Sequence, residues 1–298
     1  MRSFTIREND AGQRMDKFIT KAVPLLPKSL MYKYLRLKRI KLNGKRCEIS
    51  TRLTAGDVVE MYIGDEFFDT APEESFRFAG PMVPIVYEDE HLLLVNKPAG
   101  LVVHEDESQT PDTLIGRILR YLAEKGEYDP ATEQSFTPSL CNRIDRNTSG
   151  LVVFAKQPRI QFLLSQQQMV KKYLGITAKL PPAAEGIIEA PIARKEGSII
   201  ERCISESGKY ARTDYRVLFT NKNMALAELT LHTGRTHQIR VHLAHIGCPL
   251  YNDNLYGTPG PQSRHALHAS YLKFTHPVTG SVLEISCGLP EDLRKIIY

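Results

Sequence analysis

Asp145 lies on a polar, turn-rich loop immediately ahead of an apolar strand. The segment CNRIDRNTSGLVVFAK (141–156) passes from Asn, Asp, Thr and Ser into a β-branched run, with Gly150 at the junction. Catalytic groups concentrate on loops that a rigid scaffold positions, which makes Asp145 a candidate catalytic carboxylate. An Asp beside Asn, Thr and Ser is also typical of a turn or cap, so the loop alone leaves both interpretations open.

Arg235 is predicted at the start of a helix. The segment MALAELTLHTGRTHQIRVHLAHIG (224–247) is typical of a strand, a tight turn at Thr233-Gly234, and a helix that Gly247 ends. An Arg at a helix N-terminus adds positive charge to the positive end of the helix dipole. This costs up to about 1 kcal/mol unless an anion pairs with the Arg. A phosphate and a buried carboxylate such as Asp145 both meet that requirement.

Tyr173 begins an alternating strand after a Lys pair, in KKYLGITAK (171–179). Tyr is a favoured strand residue whatever the function, so a half-buried packing role is open. The functional interpretation is a rigid aromatic face on which a nucleic-acid base stacks, with a phenol able to transfer a proton.

The motifs of metal and nucleotide chemistry are missing. Five histidines invite a metal interpretation, but no HExxH or HxE…CxxC pattern accompanies them; they are His237, His242, His245, His265 and His268. Neither GxxxxGK[ST] nor GxGxxG occurs, which disfavours nucleotide hydrolysis and dinucleotide redox chemistry. The sequence therefore predicts neither a metal nor a cofactor.

The N-terminal part of the chain is strongly basic. Residues 1–60 hold 14 Lys and Arg against 6 Asp and Glu, whereas the whole chain has a net charge of only +5. Met15, Phe18, Ile19 and Ala22 form the apolar stripe of a helix, and Ser29 is a candidate N-cap for a second. The candidate RNA-binding side chains follow, interleaved with Tyr and ending around an Asn43-Gly44 hairpin turn: Lys33, Arg36, Lys38, Arg39, Lys41, Lys45 and Arg46.

The length of 298 residues and an ordinary globular composition predict two folded domains. The acidic, non-periodic stretch 64–80 is typical of a linker, which divides the chain into a basic unit (1–63) and a larger domain (81–298). In the larger domain, strands are predicted at 83–87, 91–96, 150–156, 172–180, 210–219 and 224–232, and helices at 113–125 and 158–169. Strands predominate and helices interrupt them irregularly, so the fold class is α+β with a largely antiparallel mixed sheet, flanked by helices, plus the small basic α/β domain.

The composition also predicts where the protein works. No apolar run approaches the 18 or so residues of a membrane-spanning helix, and the start of the chain is polar. The five cysteines are odd in number and widely spaced, which fits a reducing compartment. We therefore expect a cytoplasmic protein, without a membrane partner and acting as a monomer.

Taken together, five strings resemble the RluA-type pseudouridine synthases. They occur in that family's order over residues 81–298: NKPAGLVVH, RIDRNTSGLVVFAK, KKYLGITAK, HTGRTHQIRVHLAHIGCPL and HALHASYLKFTHPVTG. Residues 14–63 resemble the small RNA-binding domain named after the fourth small-subunit ribosomal protein. Five ordered motifs over about 200 residues are far more specific than any single match.

The resemblance implies isomerisation of uridine to pseudouridine in RNA without a metal or cofactor. It implies that Asp145 is the catalytic residue, as nucleophile at the sugar or as base on it. It also implies that Tyr173 packs on the target base and is a candidate to take up the proton from ring carbon 5. It further implies that Arg235 pairs with Asp145 and that Arg143 enters the space left by the flipped nucleotide. Large-subunit (23S) ribosomal RNA is the favoured substrate, with tRNA as the alternative, by fusion habit in the family.

Two departures and two alternatives remain. The family usually has His where this chain has Asn142, and GD where it has Asn252-Asp253. Neither departure changes a catalytic residue type, so the departures bear on target choice more than on activity. A non-catalytic RNA-binding or ribosome-assembly protein would keep the fold without the reaction, and a metal-dependent RNA hydrolase would use the histidines.

Overall fold

The computed structural model describes residues 1–68, 75–104, 112–129, 138–260 and 264–298. Part of the predicted linker, 69–74, lies outside these ranges. The strands run as follows: β1 Arg2–Thr5, β2 Ile40–Leu42, β3 Val58–Met61, β4 Ile85–Glu88, β5 Leu92–Lys97, β6 Ser139–Leu140, β7 Ser149–Ala155, β8 Val170–Thr177, β9 Glu185–Glu189, β10 Ile192–Arg194, β11 Arg202–Ile204, β12 Arg212–Asn221, β13 Met224–Leu231, β14 Leu267–Thr275 and β15 Val282–Ser286. The α-helices are α1 Met15–Ala22, α2 Lys28–Arg36, α3 Leu114–Glu124, α4 Pro158–Ser165, α5 Gln238–His245 and α6 Glu291–Ile297.

The N-terminal unit consists of β1, β2, β3, α1 and α2 around its own apolar core. The three strands form a sheet in the order β1-β3-β2, and Phe18 and Ile19 of α1 are fully buried in the core. Helix α2 begins at Lys28, directly after Pro27, so the prediction of Ser29 as N-cap is wrong. The fixed φ of Pro27 suits the start of a helix, and Ser29 therefore falls inside the first turn.

The hairpin turn of the N-terminal unit is confirmed. Asn43 and Gly44 both have positive φ, 50° and 71°. Leu42 and Lys45 exchange two backbone hydrogen bonds of 2.9 Å across them. This is the two-residue turn whose twist matches that of the flanking strands.

Ten of the described strands form one mixed sheet in the larger unit. Its order is β4-β5-β7-β14-β8-β13-β12-β9, with β6 added to β7 and β15 to β14. Strands β7 and β14 pair in parallel, and the other described pairs of this sheet are antiparallel. Helix α3 packs on one face of the sheet and α4 on the other, and β10 and β11 form a separate hairpin. The expected α+β architecture is confirmed.

Gly150 allows the parallel pair to close. Its φ is +119°, and a Cβ at this position would lie 2.2 Å from the carbonyl oxygen of Ala269 in β14. Only Gly accommodates that approach and that backbone conformation. The pairing places the start of β14 beside the loop that carries Asp145.

The segment predicted as a linker contributes apolar side chains to both units. Phe68 is buried in the N-terminal core, and Phe76 is buried against the larger unit, where its ring lies 5.9 Å from that of Tyr128.

Candidate active site

A cavity of about 280 Å³ opens at one end of the central strands of the sheet, where the loop before β7, the start of strand β8 and the start of helix α5 meet. It brings together Asp145, Tyr173, Arg235 and Arg143, which come from three separate strings of the sequence. Asp145 is the single carboxylate among the described residues that line it: Arg143, Ile144, Asp145, Thr148, Lys171, Tyr173, Leu231, Gly234, Arg235, Thr236, His237, Gln238, Ile239, Arg240 and Leu267.

A buried lysine fixes the backbone of the Asp145 loop. Lys97, fully buried at the end of β5, donates from Nζ to the carbonyl oxygens of Arg146 at 2.8 Å and of Pro98 and Leu101 at 2.9 Å each. The amide of Gly100 donates to the same Arg146 carbonyl at 2.9 Å. Burial lowers the pKa of Lys97 to about 7, and the nearby Asp145 carboxylate opposes the shift. Three carbonyl acceptors match the three protons of an ammonium group, so the loop that carries Asp145 is held in place.

The expected ion pair between Arg235 and Asp145 is wrong. Arg235 Nε donates to the carbonyl oxygen of Tyr210 at 2.9 Å, whereas Arg240 Nη1 lies 3.4 Å from Asp145 Oδ2. Helix α5 starts at Gln238, because the Gln238 side chain accepts the Arg235 amide proton at 3.0 Å and keeps this stretch in a turn. Arg235 therefore lines the pocket from the turn, and Arg240 reaches the carboxylate from the first turn of the helix.

Arg240 bridges Asp145 to a second, deeply buried carboxylate. Its Nε and Nη2 bind both oxygens of Asp253 at 2.8 Å, in the two-pronged geometry that favours Arg over Lys. The Asp253 side chain is only 1% exposed. Burial alone raises the pKa of Asp253, but the hydrogen bonds and charge of Arg240 outweigh it and hold that pKa below its usual range. Among the described residues, none donates a hydrogen bond to the other oxygen of Asp145, Oδ1.

Tyr173 lies in β8 with only 6% of its surface exposed. Burial, with a contribution from the charge of Asp145, raises the pKa of its phenol. A phenol with a raised pKa keeps its proton at neutral pH, which favours a packing surface over a proton acceptor.

The predicted RNA-binding side chains are free of ion pairs with other described residues. Arg143 is exposed at the rim of the pocket. In the N-terminal unit, Arg39 lies over the ring of Tyr34 and Lys41 over that of Tyr62, at 5.7 and 5.0 Å. The exposed cations of this unit include Lys33, Arg36, Lys38, Arg39, Lys45 and Arg46, and Lys41 is half-buried.

Three of the five histidines that invite a metal interpretation bind the hydroxyl group of a Ser or Thr. His265 binds Thr148 at 2.8 Å, His268 binds Ser149 at 2.8 Å, and His242 binds Thr213 at 3.0 Å. Burial lowers the pKa of both His265 and His268 to about 4, so both rings are neutral at pH 7. Within the described ranges no three His, Cys, Asp or Glu side chains cluster as metal ligands would.

The two departures from the family pattern lie outside the pocket lining. Asn142 is buried and binds the backbone of β7, accepting from the Val153 amide at 2.7 Å and donating to the Leu151 carbonyl at 3.2 Å. Asn252 has a positive φ of 61°, a conformation that suits Gly and that Asn tolerates. Asn142 therefore supports the backbone of β7, and Asn252 adopts the left-handed backbone conformation that its position requires.

Sequence reasoning missed four residues of this site. Lys97, Arg240, Asp253 and Tyr256 hold the site together through backbone and buried contacts. Arg240 and Lys97 stand inside the strings that carry the family resemblance, which is the one signal that points to them.

The pocket at the ends of the central strands thus holds one carboxylate among its described lining residues, paired with an arginine, as an enzyme active site can. The model of the RNA pseudouridylate synthase family matches residues 91–245. The chain belongs to this family and is an RNA pseudouridine synthase, as the sequence predicts.

Relatives of known name cover nearly the whole chain. "Ribosomal large subunit pseudouridine synthase D" of Nitrosomonas europaea is 32% identical over 308 residues, covering 98% of this chain and 86% of the relative. "Uncharacterized RNA pseudouridine synthase YlyB" of Bacillus subtilis is 31% identical, covering 98% and 96%. The structure of "Human RNA Pseudouridylate Synthase Domain Containing 4" is similar with a TM-score of 0.56 and 26% identity, over 71% of this chain and 90% of that one.

None of the helices in the described ranges has the length and hydrophobicity that crossing a bilayer requires.

Proposed function

We propose that this enzyme converts uridines of large-subunit ribosomal RNA to pseudouridine, with Asp145 as the catalytic carboxylate. The observation that carries the assignment is the position of Asp145: it is the one acid among the described pocket residues, held by Arg240 on Oδ2 and open on Oδ1. Two things support ribosomal RNA: the printed names of relatives that match the chain over most of its length, and the exposed cations of the N-terminal unit.

The proposed reaction exchanges one glycosidic bond for another without a co-reactant. The bond from the sugar to ring nitrogen 1 breaks, the uracil turns in the pocket, and a bond from the sugar to ring carbon 5 forms. The proton on carbon 5 is lost and nitrogen 1 gains one, so atoms and electrons balance. Asp145 acts either as nucleophile at the sugar or as base on it, and both routes use the same ionised carboxylate.

The other pocket residues prepare the substrate. A uracil in a helix must leave the stack before it can turn, at a cost of a few kcal/mol. Arg143, exposed at the rim, is placed to fill the vacated space, and Tyr173 offers its face to the flipped base. A ring that stays protonated packs on uracil without adding a second negative charge beside Asp145.

The N-terminal unit supplies affinity in this proposal. We assign residues 1–63 to an RNA-binding domain like that of the fourth small-subunit ribosomal protein, 64–80 to a linker and 81–298 to the catalytic domain. We propose that the enzyme acts as a monomer. A ribosomal RNA substrate also places the enzyme in the cytoplasm.

Pseudouridine mapping of a gene-deletion strain tests the substrate. We expect discrete uridines of large-subunit ribosomal RNA to lose the modification, and purified enzyme to restore it in the presence of EDTA. Loss confined to tRNA would replace the ribosomal substrate with the alternative. Restoration that needs added zinc would contradict the metal-free reaction.

The salt dependence of RNA binding tests the N-terminal unit. Lys33 and Arg36 lie one turn apart on the exposed face of α2, and replacing both with Ala should weaken binding. Each phosphate that the protein no longer neutralises lowers the slope of log K against log salt by about 0.7 to 0.9, so the double variant should lower it by between about 1 and 2. The matched control replaces Lys179 and Lys295, exposed cations of the larger unit. Equal slopes for both double variants would show that α2 does not bind RNA.

A further inference from the structure

A chain of hydrogen bonds ends at His237, whose ring faces Asp145. The backbone N–H of Arg202 in β11 donates to the hydroxyl oxygen of Tyr256 at 2.8 Å. That hydroxyl lies 2.8 Å from His237 Nδ1. The other ring nitrogen, Nε2, lies 3.9 Å from Asp145 Oδ2 and faces it from the pocket wall.

This chain fixes which nitrogen of His237 carries the proton. The Tyr256 oxygen accepts from Arg202, so its own proton is available to donate, and Nδ1 is the acceptor within reach. Burial raises the pKa of Tyr256, which keeps that proton in place. Burial also lowers the pKa of His237, against the opposing charge of Asp145, so the ring is neutral. A neutral imidazole that accepts at Nδ1 carries its proton on Nε2, the nitrogen aimed at Asp145.

The two side chains that face Asp145, Arg240 and His237, are both tied to the same buried acid, Asp253. Asp253 binds Arg240 through both oxygens and also accepts the Tyr256 backbone amide at 3.2 Å. The Arg240 guanidinium lies 5.0 Å from the centre of the Tyr256 ring. Arg240 and His237 therefore approach the carboxylate as one assembly, and both approach Oδ2.

The backbone of His237 supports a functional placement. His237 immediately precedes α5 with φ +58° and ψ 18°, in the left-handed region that a non-Gly residue seldom adopts. Such conformations persist where the surroundings enforce them, and they cluster at functional sites. Here the conformation turns the ring into the pocket, where its side chain is 12% exposed.

We propose that His237 is a positioning residue for Asp145, whose Nε2–H binds Oδ2 when substrate enters and, together with Arg240, leaves Oδ1 to meet the reacting sugar. The separation of 3.9 Å is too long for a hydrogen bond and too short to hold a bridging water, so a small closure completes the contact. Catalytic hydrogen bonds are often long in the unliganded enzyme and shorten in the substrate complex. This proposal rests on the proposed role of Asp145.

Two substitutions of His237 test whether the N–H donor toward Asp145 matters independently of the imidazole ring. In His237→Gln the side-chain amide nitrogen takes the place of Nε2 and keeps the donor toward Asp145. In His237→Asn the backbone conformation is tolerated, but the shorter amide stays near Tyr256 and does not reach Asp145. We expect His237→Asn to lower kcat about tenfold or more with KM within about threefold, because hydrogen bonds to charged groups are strong, and His237→Gln to restore most of kcat.

Tyr256→Phe tests whether the Tyr256 hydroxyl keeps the ring proton of His237 on Nε2. Without the hydroxyl, Nδ1 loses its donor, and ¹⁵N NMR of the His237 ring should show a mixture of neutral tautomers where the wild type shows the Nε2–H form alone. The matched control is His245→Asn, an exposed histidine near the end of the same helix, which should leave kcat and KM unchanged.

The outcomes distinguish this proposal from the role of Asp145 itself. Equal kcat for wild type, His237→Asn and His237→Gln overturns the positioning role, as does an equal loss in both variants confined to KM. Asp145→Asn is measured in the same assay: if it stays active, the catalytic assignment fails, whatever His237 does. A wild-type His237 protonated on Nδ1 also overturns the proposal.

Discussion

Asp145→Asn is expected to slow pseudouridine formation by about a thousandfold, within the range that a positioned catalytic acid or base contributes. The substitution keeps the size of the side chain and removes its charge. No other carboxylate among the described pocket residues can take over, because the remaining polar residues there are cations, neutral amides, hydroxyls and a histidine. The measurement is single-turnover pseudouridine formation on RNA from the deletion strain, at equal enzyme concentration.

The fold and RNA binding should survive this change. Asp145 is 27% exposed, and its partner Arg240 keeps both bonds to Asp253, so we expect a decrease in stability below about 1 kcal/mol. Asp112→Asn is the matched control, because Asp112 also pairs with an Arg, at 2.6 Å, and lies outside the pocket. It should leave the rate unchanged. Activity of Asp145→Asn within tenfold of wild type would mean that another group performs the chemistry.

The periodic elements are those that the sequence predicts well. Helix α3 is predicted at 113–125 and runs Leu114–Glu124, and strand β7 is predicted at 150–156 and runs Ser149–Ala155. Both combine a clear apolar pattern with a distinct end signal, since Thr113 caps the helix and Gly150 opens the strand. Local pattern and tertiary packing agree at these positions, which is why boundaries fall within a residue or two.

Strand β14 shows why the sequence pattern does not predict some elements. Its sequence, LHASYLKFT, mixes Ala, Ser and His with few β-branched residues, yet most of the strand is buried between β7 and β8. A central strand needs small residues where neighbouring backbones approach, as Ala269 approaches Gly150. The need for small residues at these positions arises from the packing of neighbouring strands. It therefore produces no periodic hydrophobic pattern in the sequence.

The partner of Asp145 depends on where one helix begins. Arg235 and Arg240 stand in one string, and the glycine turn at 233–234 suggests that the helix starts at the first of them. The side chain of Gln238 instead binds the Arg235 amide and the Thr233 hydroxyl, at 3.0 and 2.8 Å, and extends the turn to His237. Side-chain hydrogen bonds to the backbone compete with helix formation in this way, and a periodicity argument does not detect them.

Arg240→Ala is expected to destabilise the fold by about 3 to 5 kcal/mol, the cost of removing one partner from a buried ion pair. The substitution leaves the carboxylate of Asp253, 1% exposed, without its two-pronged partner. It also removes the cation beside Asp145, so the rate should fall with the stability. Urea unfolding gives the first quantity and single-turnover kinetics below the unfolding transition give the second.

Comparing Arg235→Ala with Arg240→Ala shows which of the two arginines supports the site. Arg235 sits in the same turn-helix segment, but among the described residues its side chain binds only the Tyr210 carbonyl oxygen. Its backbone N–H keeps the bond to Gln238 in the variant, so the substitution should cost about 1 kcal/mol or less. Arg240→Lys keeps a charge near Asp145 without the two-pronged bond, and it should recover part of the stability. If Arg235→Ala were the more damaging change, the pairing of Arg240 with Asp145 and Asp253 would not be what supports the site.

The pH dependence of the unfolding free energy tests whether the charge of Asp253 causes the destabilisation in Arg240→Ala. In the wild type the pKa of Asp253 is held below its usual range, so the pair stabilises the fold above the unfolded-state pKa and loses that contribution as pH falls through the lower folded-state value. In Arg240→Ala the strongest influence that opposes burial is lost, so we expect burial to raise the pKa of Asp253 and protonation to relieve the buried charge. The stability deficit of the variant should therefore shrink as pH falls from 7 toward about 4. A deficit that stays constant over that range would assign the destabilisation to packing against Tyr256 and not to the unpaired charge of Asp253.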